Sequence, residues 1–286
     1  MILSNIWVIN LDKSKNRLNK IEKNMGLLNL PFNRFSAVYG KELDDITIEN
    51  NVTTLCKQIL CNYSIIGCAM SHINLWKQLA NSNSEAYLIL EDDAILTDSS
   101  VNIIKKIENK IDEYSIDIVN LYCNDLGNIF SENIFTIDKY NFKKSVFPLL
   151  FTAYIITKKG AKKILEKINK ISYHIDFEIA RINLFDNLNY YASEIPLVLN
   201  NNDDTTIGKK SDSLIINICD KCGLNYLTWL LSVNIFTINL YWEINILLIL
   251  LILLLLLNIY RFNIQLLMWF LILELFLYNI VFVIPV

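Results

Sequence analysis

The chain is short of charge at one end. Of its 26 lysines and arginines only Arg261 lies beyond Gly223, and of its 29 aspartates and glutamates only Glu243 and Glu274 do. A net charge of −3 excludes a basic nucleic-acid binder, which needs surplus Lys and Arg to displace counterions from phosphates. Histidine is scarce, with only His72 and His174, and no GxSxG occurs, so nucleophilic hydrolase chemistry lacks its parts. Glycine numbers seven and proline four, and neither GxGxxG nor a P-loop is present. The six cysteines show no disulfide-scaffold spacing. Cys219 and Cys222 form a lone CxxC without the second pair a zinc site needs. They read as plain thiols, with acylation beside a membrane as the alternative. The opening MILSNIWVINLDKSKNR lacks the basic, apolar, small-residue order of a signal peptide.

What is abundant is apolar surface: 53% of residues are hydrophobic, concentrated after Gly223. Hydropathy predicts membrane spans at 244–260 and 264–284, with a third candidate at 224–241. The expected organisation is a domain over 1–210, a juxtamembrane linker over 211–223 and a membrane segment over 224–286. Lys209, Lys210 and Lys221 outvote Arg261 under the positive-inside rule. The expected localisation is therefore a multi-pass membrane protein with its amino-terminal domain in the cytosol.

Within the first 210 residues, short apolar runs alternate with helical periodicity. Strands are expected at Asn5–Leu11, Asn33–Val38, Ala86–Leu90, Ile116–Leu121 and Phe151–Thr157. Helices are expected from Lys13 to about Leu28, from Gly67, over Val101–Tyr114 and over Lys158–Ile171. This alternation predicts an α/β fold with a mixed, mainly parallel sheet and flanking helices.

The most informative residues are Glu91, Asp92 and Asp93, directly after the apolar run AYLIL. Ligands of open α/β sheets sit beyond the carboxyl ends of strands. Three adjacent carboxylates there repel one another unless neutralised, and Mg²⁺ or Mn²⁺ would serve. Strand alternation puts Glu91 and Asp93 on one side and Asp92 on the other. A solvated acidic strand end leading into a helix is the structural alternative.

Three blocks carry a resemblance. VINLDKSKNR (Val8–Arg17), IGCAMSHINLW with AYLILEDDAIL (Ile66–Trp76, Ala86–Leu96), and TAYIITKKGAKKIL with HIDFEI (Thr152–Leu165, His174–Ile179) resemble glycosyltransferase family 25. The later segments Ile195–Val198 and Thr205–Lys209 continue the likeness. The resemblance implies a GT-A-like, Rossmann-like fold and transfer, with inversion, from a UDP-sugar donor, galactose by default, to a glycan acceptor. It implies Glu91 and Asp93 as ligands of Mn²⁺ or Mg²⁺. Asp176 is the expected base that deprotonates the acceptor hydroxyl, with Glu178 as the alternative and a helix N-cap as the structural reading of Asp176. Asn10, Arg17, His72 and Asp92 are expected to line the nucleotide-sugar site. The apolar tail suggests an acceptor held in a membrane, such as a lipid-linked glycan. A membrane-anchored scaffold that kept the fold and lost turnover is the rival reading; no nucleic-acid partner is expected.

Overall fold

A computed structural model describes residues 2–122, 133–145, 150–200, 234–238, 242–246, 249–253 and 272. In chain order its elements are β1 (Ile6–Asn10), α1 (Lys15–Leu27), β2 (Asn33–Ser36), α2 (Asp45–Asn51), α3 (Tyr63–Asn81), β3 (Ala86–Glu91), β4 (Ala94–Ile95), α4 (Asp98–Glu108), β5 (Ile118–Asn120), β6 (Asn133–Ile137), β7 (Tyr140–Lys144), β8 (Ala153–Thr157), α5 (Lys158–Lys167), α6 (Ile175–Asp186), β9 (Tyr190–Ser193), β10 (Leu199–Asn200), β11 (Asn234–Ile238) and β12 (Trp242–Asn245). The chain divides into two compact units, Met1–Asn51 with Ile66–Asp203, and Val52–Ile65 with Asp204–Val286.

The first unit holds an eight-stranded mixed sheet, ordered β2-β1-β3-β8-β5-β9-β7-β6. Runs such as Ala86–Leu90 and Ala153–Thr157 are buried throughout. They have no face for water, so they occupy the middle of the sheet. Strand β1 pairs in parallel with both β2 and β3, whereas β8 runs antiparallel to β3 and β5. The expected α/β class and the expected strands and helices are found, with shifted ends. Thr97 caps α4 through a capping box with Ser100, and Thr157 caps α5 by accepting from the Gly160 N–H. The N-cap of α1 is Ser14, and Asp12 just before it pairs with Arg34.

Helix α3 lies on the β3–β8 face, burying Leu75, Trp76 and Leu79. Its seating is tight. The Ser71 hydroxyl donates to the Gly67 carbonyl at 2.7 Å and accepts from the Val38 N–H at 2.8 Å. A Cβ at Gly67 would stand 2.4 Å from the Val38 carbonyl oxygen and 2.8 Å from the Gly40 nitrogen, so only glycine permits this approach.

In the second unit, Cys56 and Cys61 form a disulfide across one π turn, which the scattered cysteine spacing did not suggest. The expected carboxy-terminal transmembrane helices, and with them the multi-pass membrane localisation, are corrected here. Among the described residues no helix is long and apolar enough to cross a membrane. Where the third span was expected to end, β11 pairs antiparallel with β12. The reason lies in composition: Ile235, Phe236, Thr237 and Ile238 are β-branched or aromatic, and apolarity alone does not choose helix over strand. The linker 211–223 with Cys219 and Cys222, the segment Thr205–Lys209, and most of 244–260 and 264–284 lie outside the described residues.

Candidate active site

Strand β3 delivers its last residue, Glu91, to a turn made by Asp92 and Asp93 before β4 begins. The three carboxylates meet three different surroundings. Asp92 is 7% exposed and turns toward β1 and α1. It accepts a 2.6 Å hydrogen bond from Asn10 Nδ2 and pairs with Arg17 Nη1 at 3.1 Å. Asn10 Oδ1 in turn accepts from Arg34 Nε at 3.0 Å. A polar chain therefore runs from Asp12 through Arg34 and Asn10 to Asp92 and Arg17. Burial pushes Asp92 above the usual carboxylate range, while the Asn10 hydrogen bond and the Arg17 charge pull it back.

Asp93 has no such support. Its Oδ1 is buried without a hydrogen-bond partner. Burial first, and then the charges of Glu91 and Asp92, push its carboxyl up to about 7, with Arg17 opposing. Tyr122, just past β5, is also raised, by burial and then by Asp93.

Glu91 is set against α3. His72 Nε2 lies 3.5 Å from Glu91 Oε1 but makes no hydrogen bond. The other ring nitrogen, Nδ1, bonds the Tyr154 hydroxyl at 2.8 Å, and Trp76 Nε1 donates to the same hydroxyl at 2.9 Å. Cys68, one helical turn before His72, shares this corner. Burial raises its thiol, and the charges of Glu91 and then Asp176 raise it further.

The charge of Asp176 thus reaches this thiol. Asp176 stands in the first turn of α6, but the N-cap is His174, so Asp176 is not the cap. Its Oδ1 accepts from the Phe177 N–H at 3.0 Å, and its Oδ2 lies 3.5 Å from the Leu150 N–H. Leu150 holds a φ of 66°, a left-handed backbone unusual for a bulky residue, and its carbonyl accepts from Asn120 Nδ2 at 2.8 Å. Glu178 differs. It is buried, accepts from the Ser172 N–H at 3.2 Å and from the Ser172 hydroxyl, and is held by Arg181 Nε and Nη2, each at 3.2 Å. His174 is held below its usual value by burial, against the pull of Asp176.

The structure thus joins Asn10, Arg17 and Asp92 in one network, sets Glu91 and Asp93 on the same turn, and brings His72 to Glu91. Cys68, Tyr154, Tyr122 and Arg34 were not singled out from sequence. Cys68 alone had a signal, its four-residue spacing from His72 on one helix face.

In open α/β sheets ligands sit beyond the carboxyl ends of strands, and the acidic turn after β3 occupies such a position. The family can be stated: the chain belongs to glycosyltransferase family 25. The family model described as "Glycosyltransferase family 25 (LPS biosynthesis protein)" matches residues 3–179. A glycosyltransferase 25 family member of Anopheles gambiae is 34% identical over 102 residues, covering 32% of this chain and 17% of the mosquito protein. The lacto-N-neotetraose biosynthesis glycosyltransferase LgtE of Neisseria meningitidis is 28% identical over 170 residues, 56% of this chain and 59% of that protein. Procollagen galactosyltransferase 1-B of Xenopus laevis is 30% identical over 104 residues, 32% of this chain and 16% of that protein. The matched stretch thus spans about three fifths of the bacterial relative and about a sixth of the animal ones.

Proposed function

We propose that the chain transfers a hexose, galactose by default, from a UDP-sugar to a hydroxyl of a glycan acceptor, with inversion at the anomeric carbon. Support comes from the family, from procollagen galactosyltransferases among its relatives, and above all from Asp93. Its buried Oδ1 lacks a partner beside two further carboxylates, and such a group keeps its charge comfortably only when a cation arrives.

The donor set fits a hard divalent ion such as Mn²⁺ or Mg²⁺, which takes carboxylate oxygens. Glu91 and Asp93 would hold it, and when bound it would neutralise charge on the leaving diphosphate. Asn10 and Arg17 fix Asp92 and thereby the turn, and Arg17 offers its remaining N–H groups to phosphate oxygens. His72 lines the donor side of Glu91.

Asp176 acts as the base. It accepts the proton of the acceptor hydroxyl as that oxygen bonds to the anomeric carbon, while the bond from that carbon to the diphosphate breaks on the opposite face and UDP departs. Asp176 suits this role better than Glu178, whose oxygens are occupied by Ser172 and Arg181.

The test is UDP release from a panel of UDP-sugars, with Mn²⁺ or with EDTA, for the wild type and Asp93→Asn. Metal-dependent release from one sugar, lost in the variant, is expected. Folded protein that neither releases nor binds UDP would overturn the proposal in favour of a non-catalytic relative.

A further inference from the structure

Cys68, His72 and Glu91 bring a thiol sulfur, an imidazole nitrogen and a carboxylate oxygen within 4.8 Å of one another. We infer that these three residues form a second metal site, for a soft divalent ion of the Zn²⁺ class, beside the hard-ion pair Glu91 and Asp93. Sulfur and imidazole nitrogen select zinc-like ions, whereas Mg²⁺ and Mn²⁺ favour oxygen alone.

The second observation is His72 itself. The residue is fully buried, and its Nε2 makes no hydrogen bond although Glu91 Oε1 lies 3.5 Å away. An N–H at that position would be expected to donate to the carboxylate, and a bare lone pair facing a carboxylate is repulsive. A cation between them resolves both cases. The bond between Nδ1 and the Tyr154 hydroxyl orients the ring, as partners of ligating histidines do.

Cys68 and His72 are four residues apart on α3, the spacing that stacks two side chains on one helix face. Glu91 comes from the end of β3. Three protein ligands leave a fourth position for water, the arrangement of an open zinc site. On binding, Cys68 loses its thiol proton to solvent. Glu91 is only partly buried, so the ion has a way in. Because Glu91 belongs to both sets, filling the soft site draws it away from Asp93, and the two sites become alternatives.

The inference does not depend on the identity of the sugar donor. Its test is a Co²⁺ titration of the full chain carrying Cys219→Ser and Cys222→Ser, so that the CxxC thiols contribute no signal. One equivalent of Co²⁺ should give thiolate-to-cobalt charge-transfer absorption in the near ultraviolet. Cys68→Ser should abolish that absorption, and His72→Gln should weaken Co²⁺ binding at least about tenfold. Absence of the absorption in the parent protein, or its survival in Cys68→Ser, would overturn the site. Because the readout is optical, failure of the transferase proposal would leave this result standing. Should Cys68→Ser fail to fold, the parent titration and His72→Gln still decide.

Discussion

The two flanks of the acidic turn are built to opposite specifications. On the β1 side, Asp92 is buried, hydrogen-bonded by Asn10 and paired with Arg17, and every contact is within the chain. On the other side, Asp93 keeps a buried oxygen with no partner, and His72 Nε2 faces Glu91 without a bond. Adjacent residues of the same chemical type thus divide the work. One locks the turn in place, and the other keeps a buried oxygen open. Buried polar atoms in folded proteins are rarely left unpaired, so the unpaired flank is where ligand recognition should concentrate.

Substitutions can sharpen this contrast. The largest effects should fall on the open flank. Asp93→Asn should lower kcat by about 10²–10³-fold, the scale of losing one electrostatic contact to developing charge, while the melting temperature holds or rises. Asp176→Asn should lower kcat by about 10²–10⁴-fold. Glu178→Gln, which loosens Ser172 and Arg181, should show mainly in stability, and a larger kcat loss in Glu178→Gln than in Asp176→Asn would reverse the two roles.

The closed flank should respond in stability first. Asp92→Ala leaves Arg17 and Asn10 unmatched and should destabilise by about 3 kcal/mol in urea unfolding, the scale of breaking a buried ion pair. Tyr154→Phe removes the shared partner of His72 and Trp76 and should cost about 1–3 kcal/mol.

The smallest effect is on pH. Asp93 has a folded-state value of about 7, above its unfolded one, so the folded chain binds the extra proton. Its contribution to stability is present at low pH and lost as pH rises through about 7. Without metal, the wild type should therefore gain on Asp93→Asn by a few degrees in melting temperature as pH falls from about 8 to about 6, at about 2–4 °C per kcal/mol for a chain of this size. Taking the difference cancels His174, which works the other way because its value is lowered. A difference that stays flat with pH would mean that Asp93 is already paired.

Much of the central sheet was legible in the sequence because its strands are unbroken apolar runs and its helices keep a clear period. Strand β3, strand β8 and the helix after it needed no tertiary information. The hairpin β6–β7 was not legible. Its strands, NIFTI and YNFKK, alternate too weakly to stand out in a chain rich in Asn, Ile and Lys. The acidic triplet was visible, and alternation separated Asp92 from its neighbours. The partners of the triplet were not visible, since Asn10 meets Asp92 and Tyr154 meets His72 only through folding, each pair 82 positions apart. The carboxy-terminal stretch was less legible for the opposite reason: its hydropathy points to membrane spans, whereas Asn234–Ile238, rich in β-branched and aromatic residues, forms a strand.

Gly67 gives the helix a hard stop. Because the helix backbone rests directly on the Val38 carbonyl, a methyl group at position 67 would act as a shim under α3. Cys68 and His72 ride on that helix while Glu91 is fixed to the sheet. The thickness of one missing side chain therefore gauges the gap between thiol, imidazole and carboxylate. Widening it would detune all three together without altering any of them.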